Sequence, residues 1–249
     1  MLETARLSSF AGRLVMPARR LDHSILRSDL HLHTTFTDGR STVLEMLQAA
    51  ARQGLQTVAF TEHVRRGITW FEGFREQVQR DRLGFPDLEV LVGIEAKAFD
   101  CHGGLDADPA LIAQADLVLG AFHNYPDRRG GFVPATALSA EEAAELEFEA
   151  SWALLDHPEV DVLAHPGALT RKFFGEFPEP YLRELVEKAA ARGRAIELNG
   201  EYNSPEQLGR LITWCREADA WVTLGSNAHH ASEVGRIAAL VTEVEGYVH

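Results

Sequence analysis

The sequence predicts an α/β fold, a barrel of the TIM type built from seven β/α units. Three observations lead there. Short apolar runs alternate with segments of helical periodicity from Asp29 onward. These runs are apolar throughout, as in a parallel sheet covered by helices on both faces. Histidines and carboxylates recur at their C-terminal ends, where parallel α/β barrels carry their chemistry. An open doubly wound sheet is the competing architecture, but no glycine-rich dinucleotide loop follows the first strand.

The elements follow in order. Residues 30–34 read as the first strand. Ser41 opens a helix to Gln53, with Val43, Leu44, Leu47, Ala50 and Ala51 at helical spacing and Gly54 as its stop. Residues 57–61 form the second strand, ending at Glu62-His63, and residues 70–83 a charged helix of weak periodicity. Residues 88–96 are the third strand, which carries Glu95. Asp108-Pro109 caps a short helix to Ala115, with proline where its missing N–H costs nothing. Residues 117–122 deliver His123, and Ser139-Ala-Glu-Glu142 is a capping box for a helix through Leu155. Residues 160–164 end at His165-Pro166-Gly167, and Pro178 and Pro180 start a helix that stops at Gly193. Residues 194–198 lead to Asn199-Gly200, and Ser204-Pro205-Glu206 starts a helix to Ala218. Residues 221–225 end at Ser226-Asn227-Ala228-His229-His230, after which Ser232 caps a last helix toward Val244.

Composition narrows the partners. The chain has 249 residues, enough for one large α/β domain, and no low-complexity linker divides it. With 24 basic and 37 acidic residues its net charge is −13, which argues against a bulk grip on nucleic acid or on an anionic membrane. Cys101 and Cys215 are the only cysteines and are expected to be reduced thiols in a cytoplasmic protein. No apolar run approaches the ~20 residues that span a bilayer. Residues 1–27 hold Arg6, Arg13, Arg19, Arg20 and Arg27 without a secretory core and cleavage site. They are expected to form an N-terminal arm or a cap on a barrel domain of residues 28–249. An organelle-targeting segment is the alternative.

The strand ends offer His31, His33, Asp38, His63, Glu95, His123, His165, Asn227 and His229. In a strand, residues i and i+2 share a face, so His31 and His33 can converge on one ion. A single histidine at a strand end is commonly a packing residue. Six of the chain's eleven histidines fall at these ends, and a shared ion site explains them together. Imidazoles with a few carboxylates suit zinc, iron(II) or manganese better than calcium or magnesium. The donors outnumber the needs of one tetrahedral ion, so two or three divalent ions are expected.

Asp29-Leu-His-Leu-His-Thr with Asp38-Gly39, Thr61-Glu62-His63, Gly93-Ile-Glu95, His123, His165-Pro166, Glu197-Leu-Asn199 and Gly225-Ser-Asn-Ala-His229 resemble the PHP (polymerase and histidinol phosphatase) family. The resemblance runs from residue 28 to the end in the family's motif order. It implies a distorted (β/α)7 barrel holding up to three metal ions, with phosphoester hydrolysis as the usual activity. It also implies that His31, His33, Glu95 and Asn227 hold one ion. Glu95, His123 and His165 would hold a second, with Glu95 bridging, and Asp38, His63 and His229 a third. Two positions depart from the family pattern. Glu62 stands in a motif that usually reads Thr-Asp-His. Asn227 stands in one that usually reads Ser-Asp-Ala-His, and an amide oxygen coordinates without bringing charge. The first ion is therefore expected to bind more weakly.

Two ions that share a water lower its pKa from ~15.7 toward ~7, giving a hydroxide able to attack phosphorus. The charge of the ions exceeds what Asp38 and Glu95 return, so a phosphate is drawn to the site. Arg65, Arg66, Arg171 and Lys172 follow strand-end ligands, and an arginine fork suits phosphate. Arg171 is the first choice among them, on a loop over the barrel mouth. Glu95, Arg171 and His229 are expected to carry catalysis. The expected substrate is a small phosphate monoester, with histidinol phosphate as one candidate. A phosphodiesterase or nucleotide hydrolase of the same family is the nearest alternative. A weakly active metal-stabilised binding module and a C–N hydrolase are more distant, the latter lacking a lysine at a middle strand end.

Overall fold

The computed structural model describes residues 16–21, 24–127 and 131–246, so residues 1–15 and 22–23 of the expected arm lie outside the described residues. Its sheet strands are Met16–Pro17 (β1), Ser28–Leu32 (β2), Thr57–Val64 (β3), Glu89–Lys97 (β4) and Val118–Ala121 (β5). A separate antiparallel hairpin, Tyr125–Pro126 (β6) with Phe132–Val133 (β7), comes next. Val162–Leu163 (β8), Ala195–Asn199 (β9) and Trp221–Gly225 (β10) complete the sheet, whose order is β1-β10-β9-β8-β5-β4-β3-β2. All neighbours pair in parallel except β1, which runs antiparallel to β10. The seven parallel strands are those the apolar runs predict. The eighth comes from the N-terminal segment and adds to an edge.

The distortion of the barrel has a definite place. β2 meets the chain after β10 only near its C-terminal end, through a parallel bridge between Leu32 and Ala228. There the His33 N–H donates to Ala228 O at 2.9 Å, and the Ala228 N–H to His31 O at 3.2 Å. At the opposite end β1 occupies the β10 edge, and the Ala18 N–H donates to Ala220 O at 2.9 Å. The barrel is thus stitched shut at its mouth and wedged open at its base. The buried Asp29 carboxylate reinforces the stitch. It accepts the Ser226 and Gly235 N–H groups at 2.8 Å each, tying the first parallel strand to the turn after the last.

Period-two alternation sorts the strand side chains. Leu30, Ala59, Leu91, Leu117, Leu119, Ala121, Val162, Ala164 and Ala195 form a small buried cluster inside the barrel. Val58, Phe60, Val90, Val92, Ile94 and Val118 belong to the larger core between sheet and helices. On the inward face the columns Ala59-Thr61-His63, Leu91-Gly93-Glu95 and Ala195-Glu197-Asn199 climb from an apolar floor to polar tops. Gly93 is required beneath Glu95, since a Cβ there would lie 2.8 Å from Leu117 O and 2.9 Å from Thr61 Cγ2.

The outer helices are Val43–Arg52 (α1), Phe71–Asp81 (α2), Pro109–Ile112 (α3), Ala140–Leu154 (α4), Ala168–Phe174 (α5), Glu179–Arg192 (α6), Pro205–Glu217 (α7) and Arg236–Glu245 (α8). Capping boxes Thr42/Glu45, Ser139/Glu142 and Ser204/Gln207 open α1, α4 and α7. Three expectations are corrected. Thr42 rather than Ser41 caps α1, because the Ser41 hydroxyl accepts the Ala231 N–H at 3.0 Å. Ser232 caps no α-helix, since residues 231–233 form a 3-10 turn and α8 begins after Gly235 at φ +79. The segment after His165-Pro166-Gly167 is a helix, α5, and not a loop.

Phe71, Phe74 and Val78 bury one face of α2. Cys101 and Cys215 form no disulfide, and burial pushes the Cys215 thiol up to about 12. Among the described residues no helix is long and apolar enough to cross a membrane.

Replacing Asp29 by alanine leaves two backbone N–H groups at the barrel stitch without an acceptor. Each buried donor left unsatisfied costs about 1–3 kcal/mol, so D29A should lose on the order of 2–6 kcal/mol in urea unfolding. D29N, which keeps one acceptor, should lose less. Equal stability of D29A and the wild type would contradict the stitch.

Candidate metal centre

β4 projects Glu95 inward at the mouth, 1% exposed, and five histidines from other elements close on it. Its Oε1 lies 2.8 Å from His165 Nε2, 3.1 Å from His123 Nε2 and 3.5 Å from His31 Nε2. Its Oε2 lies 2.7 Å from His63 Nδ1 and 3.6 Å from His33 Nε2. Asp38, in the loop after β2, forms a second focus. Its Oδ2 is 3.3 Å from His63 Nε2, and its Oδ1 is 3.4 Å from His229 Nε2. Asn227 joins through Oδ1, 3.0 Å from His33 Nε2.

The structure therefore brings together His31, His33, Asp38, His63, Glu95, His123, His165, Asn227 and His229. Mutual distances among these and Glu197 define four overlapping donor groups: His33-Asp38-His63-His229, His31-His33-Glu95, His63-Glu95-His123 and His31-His165-Glu197. His63 faces both carboxylates, and His33 belongs to two groups. These groups overlap the three sets implied by the family resemblance without coinciding with them.

Electrostatics reflects the crowding. Burial alone would raise Glu95, yet His123, His63 and His31 hold it well below the usual carboxylate range. Hydrogen bonds from His229 and His63 likewise hold Asp38 far down. Burial opposes charge on His63, but Glu95 and Asp38 prevail and raise it to about 10. Burial lowers His33, and its imidazole neighbours His31 and His63 add to this. Protons and metal ions compete for these same lone pairs.

The donors fit such ions. His31 Nε2 and His33 Nδ1 are buried without a hydrogen-bond partner, a cost of about 1–3 kcal/mol each unless something fills the space. His31 directs Nδ1 to Glu197 Oε1 at 2.6 Å, and His229 directs Nδ1 to Asn227 O at 2.9 Å. In both rings the Nε2 lone pair is thereby left free to ligate.

An outer layer of carboxylates escaped prediction as site residues. Glu197 joins His31 to the His165 N–H, which it accepts through Oε2 at 2.7 Å. Its signal in the sequence is a charge at a buried-strand position; Gly225, on the neighbouring β10, leaves its side chain room, since a Cβ there would collide with Glu197 Oε1. Glu62, pushed up to about 7 by burial, accepts the Thr34 N–H at 2.8 Å and the Thr34 and Thr37 hydroxyls. It thus ties down the loop that carries Asp38. Glu201 accepts Asn227 Nδ2 at 2.6 Å.

His63, Glu95, His123 and His229 line a cavity of about 550 Å³ that opens at the mouth. Arg65, Lys97 and Lys172 bring positive charge to its wall, and Ile68, Trp70 and Leu169 an apolar stretch. Arg171 departs from expectation. It sits within α5, half-buried, its Nη2 donates to Pro166 O at 3.1 Å, and the buried Glu147 faces it. It does not line the cavity, whereas Lys172, one residue on, does. Arg66 also turns away, donating to Leu105 O at 3.0 Å and lying over the Phe99 ring. His230 caps the 3-10 turn from the surface.

Residues 29–201 match the PHP domain family. A probable phosphatase of Syntrophotalea carbinolica is 31% identical over 217 residues, covering 83% of this chain and 81% of that protein. One of Acetivibrio thermocellus is 28% identical over 216 residues, covering 84% of this chain and 81% of its own length. Among solved structures, the histidinol phosphate phosphatase of Lactococcus lactis, complexed with zinc, L-histidinol and phosphate, superposes with a TM-score of 0.63. It covers 87% of this chain and 93% of that one at 16% identity, a likeness of fold.

Removing the Glu197 carboxylate leaves His31 free to turn and the His165 N–H unpaired. Loss of such a supporting carboxylate typically costs 10–100-fold in metal affinity, so E197A should weaken zinc binding by roughly that factor. Titration of chelator-stripped protein checks this. Unchanged affinity would mean that His31 is held by other contacts.

Proposed function

The chain belongs to the PHP domain family, and on that premise we propose that it hydrolyses the phosphate monoester of a small organic alcohol. Its activity class is that of a metal-dependent phosphatase or phosphoesterase. The observation that supports the narrower reading is the Glu95 cluster, set at the floor of a cavity whose wall carries both lysine and apolar side chains.

His31, His33, Glu95 and Asn227 would hold one ion, and Glu95, His123 and His165 a second. Asp38, His63 and His229 would hold a third. When bound, divalent zinc, iron or manganese supplies Lewis acidity toward a phosphoryl oxygen and acidifies water. Glu95, whose two oxygens face different histidines, would be shared between the first two sets. Asp38 and His229 line the cavity and would present the third set to it. Lys172 and Arg65 draw the phosphate in, and Lys172 takes the role expected of Arg171. Ile68, Trp70 and Leu169 offer the leaving alcohol an apolar wall.

The volume suits a small molecule, and the net charge of −13 disfavours long nucleic acid. Histidinol phosphate is the first substrate to try, because the Lactococcus lactis enzyme of like fold was crystallised with L-histidinol and phosphate.

The test is a panel of phosphomonoesters, phosphodiesters and amides, offered to protein stripped by chelation and then reloaded with zinc, manganese or iron(II). Monoesters should be hydrolysed fastest, and chelation should abolish turnover. Preference for diesters, or activity that survives chelation, contradicts the proposal. In the same assay K172A should raise KM about tenfold and change kcat less, as expected for the loss of one charge-assisted contact. An unchanged KM would remove Lys172 from substrate binding.

A further inference from the structure

Asn227 poses a problem that the ligand set does not resolve. An amide has two chemically different ends, and rotation about its last torsion exchanges them. Only the oxygen can ligate a cation. The end that faces the metal centre therefore decides whether Asn227 helps or obstructs, and something must choose.

The choice is made behind the amide. Asn227 is 4% exposed and sits at φ +50, a left-handed conformation that asparagine adopts more readily than most residues. Its Nδ2 donates to Glu201 Oε2 at 2.6 Å, the length of a charge-assisted bond, while Oδ1 stands 3.0 Å from His33 Nε2. A carboxylate only accepts, so the reversed amide would set oxygen against oxygen. Glu201 is itself held. Its N–H donates to Asn199 Oδ1 at 2.8 Å, and Arg236 Nη2 approaches its Oε2 at 3.5 Å. Arg236 in turn donates through Nε to Ser226 O at 2.8 Å, within the same turn as Asn227.

We propose that Glu201 is a positioning residue of the metal centre, fixing the Asn227 amide oxygen toward the ions and supplying next to it the negative charge that Asn227 lacks. This rests on the reading of the cluster as a metal centre. The bond to a carboxylate also polarises the amide and increases electron density on Oδ1. An aspartate at 227, as in the related motif, would bring a second carboxylate against Glu201 at hydrogen-bond distance, and like charges so close cannot both remain ionised comfortably. Asn227 and Glu201 therefore work as a pair. The charge expected at one position has moved one residue outward.

The test is a double-mutant cycle read as affinity for zinc alone, in chelator-stripped protein with no phosphoester present. E201A should weaken the weakest-bound ion about tenfold, in the range typical of outer supports of metal ligands. E201Q keeps an acceptor for Nδ2 and should fall between E201A and the wild type. N227D alone should bind no more tightly than the wild type, whereas N227D in the E201Q background should bind about tenfold more tightly than N227D alone. E201A with unchanged affinity overturns the proposal, as does an N227D gain that is equal in both backgrounds. If E201A does not fold, the isosteric E201Q and N227D variants decide between the same outcomes. Intact coupling with no phosphatase activity would sink the substrate reading alone. Intact phosphatase activity with no coupling would sink this one.

Discussion

A single buried carboxylate, Glu95, sets the terms for the rest of the molecule. An isolated charge at 1% exposure is costly, and burial alone would neutralise it. Here histidines from five other positions surround it, so the anion is kept and becomes a focus for cations. The arrangement depends on β4 lying in the middle of the parallel sheet, with Gly93 leaving room beneath. Its neighbours β3 and β5 then deliver His63 and His123 to either side. The apolar side chains of Ala59, Leu91 and Leu117 close the barrel below that layer.

Around this focus the other buried carboxylates each pin a segment. Asp29 ties the first parallel strand to the turn after the last, Glu62 holds the loop of Asp38, and Glu197 couples His31 to the β8 end. The same contacts that close a barrel of seven parallel strands also aim its ligands. Folding and site assembly are therefore one process in this chain, and the least closed part, the base beside β1, lies at the end away from the ligands.

What could be read from the sequence follows the range of the interactions involved. The parallel strands and the Ser139 and Ser204 helix starts were legible because alternation, apolar runs and capping boxes are local. The strand-end histidines were legible because the fold class says where such ends meet. Long-range facts were not. Nothing near Met16 announces pairing with Val222, and nothing near Glu197 or Glu201 names His31 or Asn227 as partners. Helix α5 was hidden because Pro166-Gly167 reads as a loop. It starts from the left-handed Gly167 and stops at the left-handed Gly175, and its winding turns Arg171 to Pro166 and brings Lys172 to the cavity.

The whole site depends on cations gathering at Glu95. The most direct measurement is a crystal structure with anomalous difference maps recorded on zinc- or manganese-loaded protein. Peaks should appear within about 2–2.5 Å of the Glu95 oxygens, shared with the imidazoles of His31, His33, His63, His123 and His165. Density confined to surface histidines, with the Glu95 pocket filled by water or by protonated side chains, would contradict it.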